Sequence, residues 1–328
     1  MHFKTVLFMQ YSKKGVDLME SKVPAYLPYP KQFTPYKWFK PLLTGLLMLA
    51  FYFVFGAVIT FISIMIAANQ GVNLMESLKG GYDTMDAYSV YGALASVGGV
   101  AAFLPALLIA NRIVNSRSFS SYSSSRGGFS FGVFFKTLCG AMVFLGIPLV
   151  IFTLLTDKFS GNVKFTVAGF ITCIILVPLQ CCAEEYVFRG LVMQAFGSWI
   201  KLPVIAIILQ SLVFAATHPY NIVGVISVAL MGIALGVCAY ITNGLEASCA
   251  AHIVNNMITF LFTGFGFGAV QTDVDVISTV VVICCMCLYI AFLVFAKKKL
   301  NWFEKVKKDD AAEFNAKIAQ RKQAKGQA

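Results

Sequence analysis

What this chain has least of is charge. Only 12% of its 328 residues are charged, fifteen are acidic and three are histidine, while 58% are hydrophobic and the mean hydropathy is +0.76. So thin a polar surface cannot cover a water-soluble domain, and the composition is that of a chain crossing a bilayer several times. The nine cysteines (139, 173, 181, 182, 238, 249, 284, 285 and 287) lie in apolar segments. They are odd in number and lack the spacing of a disulfide framework or of paired thiolate ligands, so they read as small polarizable packing groups. A cleavable leader pattern is not expected either. Lysines are spread through residues 1–41, and the first long apolar run is long enough to remain as an anchor.

Runs of about 20 apolar residues, the length that crosses a hydrocarbon core, are abundant. They can be placed near 42–68, 88–111, 132–155, 164–183, 202–218, 220–242, 247–264 and 276–296. The expected fold is therefore an all-α polytopic transmembrane helical bundle of about eight spans. The net charge is +11, and its placement matters more than its size. Seven lysines precede residue 41, ten basic residues follow residue 296, and Arg112, Arg117 and Arg126 share one loop. The loops at 69–87 and 265–275 are acidic or balanced, with Glu76, Asp83 and Asp86 against Lys79 in the first and Asp273 and Asp275 in the second. The positive-inside rule then places both termini and the 112–131 loop in the cytoplasm. The basic excess reads as an orienting signal that meets anionic lipid, and no nucleic-acid partner is expected.

The chain divides accordingly. Residues 1–41 form a cytoplasmic lead-in, 42–111 the leading spans, 112–131 a Ser-rich cytoplasmic loop, 132–296 a core, and 297–328 a basic, helix-prone cytoplasmic tail. The 115–130 stretch is low in complexity and is expected to be a flexible, solvated connector. Pro178 is expected to kink its helix one to two turns before Glu184. Gly224, Gly232 and Gly236 permit close helix approach.

Against this background Glu184 and Glu185 are the two intramembrane carboxylates, and His218 and His252 the two intramembrane histidines. Charged groups are expensive in lipid, so such groups pair, face a cavity, or carry function. Helical spacing puts Glu185 and Arg189 (i, i+4) on one face, where they can pair, and turns Glu184 about 100° away. His252 and Asn256 share a face in the same way, as do Phe214 and His218. A carboxylate, two imidazoles and an amide from three helices are the parts needed to split an amide bond away from bulk water. Glu184 would serve as general base, His218 would orient the water, and His252 with Asn256 would stabilise an oxyanion. The same donors could instead hold Zn²⁺ among Glu184, His218 and His252, and the residues alone leave the cofactor open. A structural polar network and a proton-coupled transporter are the competing readings, although no inverted repeat is visible and the ionisable groups form one cluster rather than a path.

Glu-Glu-x-x-x-Arg at 184–189, Phe-x-x-x-His at 214–218 and His-x-x-x-Asn at 252–256, in that order on successive spans, resemble the three motifs of the CPBP (Abi) family of intramembrane proteases, which includes the type II CAAX prenyl endopeptidases. The resemblance covers about 130–296. It implies an endopeptidase acting on a peptide or membrane-associated protein. Glu184 and His218 would activate water, His252 and Asn256 would stabilise the oxyanion, and Glu185, Arg189 and Phe214 would support them. The family has been described both as metallo- and as glutamate-dependent proteases, and its members include proteins tied to bacteriocin self-immunity, so a non-catalytic scaffold is the third alternative. A multi-pass protein of a bacterial plasma membrane is expected. One geometric tension is visible in advance. His252 follows the Asn243-Gly244 turn by only a few residues, which puts it nearer the cytoplasm than His218 unless tilt, the Pro178 kink or a recessed turn closes the gap, or the span limits differ.

Overall fold

Long apolar runs in a medium without water can satisfy their peptide groups only within one segment, so each becomes a helix. A computed structural model describes residues 23–79, 86–268 and 274–326, and among these residues there are helices and no strand. Helix α1 spans Lys40–Asn69, α2 Val90–Val114, α3 Phe131–Thr156, α4 Val167–Trp199, α5 Pro203–Ala216, α6 Ile222–Thr242, α7 Glu246–Gly264 and α8 Val276–Leu300. A further helix in the tail, α9, covers Asp310–Gly326. A helix thus forms at each of the eight expected places, and six of the eight are long and apolar enough to cross a membrane. The exceptions are α5, with 14 residues, and α7, whose faces carry Ser248, His252, Asn255, Asn256 and Thr259. These two helices bring polar groups inward. Asp83, Asp273 and the lead-in lysines before residue 23 lie outside the described residues.

The outer surface is apolar. Leu46, Phe53 and Phe61 of α1, Leu155 of α3, Ile175 of α4 and Ile277 of α8 all stand exposed. A shell of this kind would drive aggregation in water and matches hydrocarbon in a bilayer. Inside, one cluster joins α3, α6, α7 and α8 through Leu145, Leu235, Ala250, Met286 and Tyr289. A second joins α1, α2, α4 and α5 through Met48, Leu107, Phe188 and Phe214. The motif-bearing part of α4 runs between them.

One local irregularity is added and one expectation is replaced. α4 continues through Pro178 as regular α-helix to Glu185, and the irregular stretch follows the glutamates, where Tyr186–Met193 is π-helical. Residues 115–130 are not a solvated connector. Ser121, Tyr122, Ser123, Ser124, Ser125 and Arg126 are buried, and their polar atoms are used in packing. The Ser124 hydroxyl and Ser125 N each donate to the Asn243 carbonyl at 3.1 Å, the Ser125 hydroxyl donates to the Pro24 carbonyl at 2.6 Å, Leu245 N donates to the Ser123 carbonyl at 2.7 Å, and Arg126 reaches the Thr242 carbonyl. Arg126 Nη2 also pairs with Glu246 Oε2 at 2.7 Å, and both groups are nearly inaccessible. The physical reason is one of donor and acceptor supply. The α6–α7 turn has backbone groups that need partners, and a serine-rich strip supplies them without bulk.

The ends close over this strip. Tyr26 donates to the Tyr122 carbonyl at 2.5 Å, and Tyr29 and Phe33 pack with Ala311 and Phe314 of α9. Asn315 donates to the Gln32 carbonyl at 2.9 Å and accepts from Thr34 N at 2.7 Å. Gly127 has φ +94°, and a Cβ there would meet the Lys308 carbonyl at 2.5 Å, so this position needs glycine twice over.

Candidate active site

Glu184 and Glu185 end the regular part of α4, where the helix is enclosed on all sides, and both are buried. Glu185 is the hub. Its Oε1 accepts from Arg189 Nη1 at 2.9 Å, one helical turn away, and lies 2.9 Å from His252 Nδ1 on α7. Arg189 is fully buried, donates from Nη2 to the Gly232 carbonyl at 3.2 Å, and lies over the Phe214 ring at 4.5 Å. Gln210 Nε2 donates to the same carbonyl at 2.9 Å. The guanidinium is therefore tied to α4, α5 and α6 together.

Glu184 occupies a different setting. Its Oε2 lies 3.5 Å from His252 Nε2, and that oxygen makes no hydrogen bond within the protein. The contact is close enough for charge attraction and too long or misaligned for a good hydrogen bond. A carboxylate only accepts, so the Glu185 contact places a proton on His252 Nδ1 and aims Nε2 at Glu184. Histidine and carboxylate then face each other across a short gap, each available to a third group.

The other expected residues are arranged around this pair. Phe214 contacts both imidazoles, with ring centroids 4.7 Å from His218 and 6.2 Å from His252. His218 is half-buried just past the end of α5, where Pro219 cannot continue the helix. Its Nδ1 lies 2.9 Å from the Phe214 carbonyl, which leaves Nε2 pointing elsewhere. Asn256 donates to Gln180 Oε1 at 3.4 Å and accepts from Asn255 at 3.1 Å. Gln180 was missed in the sequence, although it precedes Glu184 by four residues and so shares its face. Three helices thus meet here: α4 and α7 through the Glu184–His252 contact, and α5 through Phe214, whose ring lies against both imidazoles.

The π-helical stretch is held from the Ser-rich strip. Arg117 Nη2 donates to the Gly190 carbonyl at 2.9 Å and Arg117 also bonds Gln194, while its guanidinium lies 3.5 Å from the Tyr122 ring centroid. Wide helical turns of this kind recur at functional sites. Arg117 and Arg126 were legible in the sequence as orienting charges; their buried partners were not. Among the described residues no three His, Cys, Asp or Glu side chains converge in a geometry that holds a metal ion. All nine cysteines are free.

Comparison with known proteins agrees with the motif resemblance. Residues 164–258 match the family model described as type II CAAX prenyl endopeptidase Rce1-like. The matched region contains all three motifs. The chain is also similar to the uncharacterized protein YyaK of Bacillus subtilis (strain 168), with 28% identity over 171 residues, 48% of this chain. That similarity spans 57% of the relative's length. No solved structure matches the chain.

Proposed function

We propose that this protein is an intramembrane endopeptidase whose water-activating base is Glu184. The observation that carries the reading is the Glu184–His252 contact of 3.5 Å, with His252 held from behind by the Glu185–Arg189 pair. The Rce1-like match over the same residues supports a protease at family level.

The Glu184 carboxylate takes a proton from water as the water oxygen attacks the scissile carbonyl carbon. The His252 imidazole and the Asn256 amide donate to the oxygen that gains charge. Glu184 then passes the proton to the leaving nitrogen, the C–N bond breaks, and a carboxylic acid and an amine leave. His218, on the other side of Phe214, assists by orienting the water. Arg189 and Glu185 act through His252 and are positioning residues. No step is routed through a metal, since the donors present do not form a three-ligand set. The substrate is a peptide or a membrane-associated protein, and both termini lie on the cytoplasmic face of a bacterial plasma membrane. The clustering of basic residues at both ends and the bacterial relative support that placement.

The test is cleavage of prenylated and unprenylated membrane-anchored reporters by the protein in liposomes. Glu184→Gln and His252→Ala should each lower turnover by about 10²–10⁴-fold, the range for loss of an acid–base group, and a strong chelator should leave the wild type active. Chelator inactivation reversed by zinc would replace the glutamate mechanism with a metal one. A wild type that cleaves nothing but carries a Glu184-dependent proton flux would point to a transporter.

A further inference from the structure

The start of α3 and the end of α8 border a cleft of about 260 Å³ that none of the glutamate–histidine residues lines. Its walls come from Arg126, Ser130, Gly132, Val133 and Lys136 on one side, and from Leu300 to Trp302 with Lys305 and Lys307 on the other. Arg126 is already neutralised by Glu246. The three lysines are not so occupied. All three are exposed, and Lys136 Nζ lies 5.3 Å from the Trp302 ring centroid. Glu304 is exposed in the same stretch but is absent from the cleft walls. The N-terminal end of α3, a helix of 26 residues, also opens here, with Ser130 as its cap. Its dipole favours an anion.

The cleft has an apolar border as well. Val133, Leu300 and Trp302 line it, and Phe131 and Phe135, exposed one turn apart on α3, are chain neighbours of the lining residues Ser130, Gly132 and Lys136. Free phosphate has no use for such a border. A ligand with a phosphate head and acyl chains uses both features at once, and basic pockets between transmembrane helices suit such heads.

We propose that this cleft is a binding site for the phosphate headgroup of an anionic membrane lipid, with Lys136, Lys305 and Lys307 contacting the phosphate and Phe131, Phe135 and Leu300 lying along the chains. The site is separate from the glutamate–histidine pair and does not depend on the protease reading.

Native mass spectrometry of the full-length protein in detergent tests it, with phosphatidylglycerol and phosphatidylcholine of identical chains as probes. The wild type should retain phosphatidylglycerol selectively. The triple variant K136Q/K305Q/K307Q should lose that retention by about tenfold or more, on the scale of several lost lysine–headgroup contacts. A second variant, K317Q/R321Q/K322Q, removes the same charge from α9 and should bind like the wild type. Equal binding of both lipids, retention by the first variant, or equal loss in the second would each overturn the proposal. Displacement of the lipid by inorganic phosphate at matched concentration would make the site one for soluble phosphate and would overturn it too. The substituted lysines are exposed, and a melting curve beside the wild type confirms that the variants fold.

Discussion

Glu185→Ala should unfold the bundle more readily than Glu184→Ala, although the two carboxylates are adjacent. Glu185 and Arg189 have no accessible side-chain surface, and Glu185 also holds His252 Nδ1 at 2.9 Å. Removing the carboxylate leaves Arg189 buried with carbonyl and ring contacts but no counter-charge. Breaking a buried pair on one side costs about 3–5 kcal/mol. For chains of this size each kcal/mol moves Tm by about 2–4 °C, which gives a fall on the order of 10 °C. Glu184 has only its 3.5 Å neighbour to lose, so Glu184→Ala should melt within about 3 °C of the wild type. The assay is built into the chain. Cys173, Cys181, Cys238 and Cys249 are buried and free, so a thiol-reactive fluorophore reports unfolding in detergent. A double variant, E185L/R189M, removes both charges and should recover much of the loss. A single variant E185A that melts with the wild type, or a double variant no more stable than the single, would refute the buried-charge argument.

Two further outcomes follow from packing and from charge. A Cβ on Gly140 of α3 would sit 2.2 Å from the Phe292 ring of α8, and that ring is itself stacked on Phe144 and edged by Trp302. Gly140→Ala should therefore cost about 1–3 kcal/mol in thermal unfolding, and Phe292→Leu should restore most of it. In the tail, Glu313 is held at 2.7 Å by both Lys308 and Lys317. Its hydrogen bond to Lys308, then that to Lys317, bring its carboxyl from 4.5 down to about 2. The folded value is depressed, so the contribution is fully present above pH 4.5 and is lost as pH falls through about 2. A carboxyl-carbon NMR titration with Glu313→Gln as the assignment control should show that midpoint, and 1 M salt should move it upward. A midpoint near 4.5 at low salt would contradict the paired geometry.

The parts of the site that were legible in the sequence are those governed by helical periodicity and by the cost of charge in lipid. Glu185 and Arg189 meet because i and i+4 share a face, and the polar residues of α4 and α7 converge because unpaired charge is costly in lipid. The π-helical turns after Glu185 have no residue signature of their own. They are held by Arg117, which precedes Gly190 by 73 positions. The Ser-rich strip misled for a related reason. Its composition has no apolar period, which is the usual mark of a solvated linker, while its partners in the α6–α7 turn lie more than 115 residues away. Composition describes what a segment can do alone, and here the segment does not act alone.

That strip also holds the turn from which α7, the helix of His252, begins. A turn at the bilayer surface would start α7 too far out, because water would be needed to satisfy its carbonyls. Covered by Ser123, Ser124, Ser125 and Arg126, the turn has protein partners instead and does not depend on water. The Arg126–Glu246 pair is the strongest link in this cover, since Glu246 Oε1 also accepts from Ser130 N at 2.8 Å. A double-mutant cycle with Arg126→Met and Glu246→Gln should then give a coupling energy of about 1–3 kcal/mol, toward the upper part of the range for contacting residues. Reporter cleavage should fall in both single variants even though neither residue touches the glutamate–histidine pair. Additive stabilities, or full activity in both singles, would mean that the depth of α7 is set elsewhere. In that event the packing of Ala247, Ala250 and Ala251 against α3, α6 and α8 would be the remaining determinant.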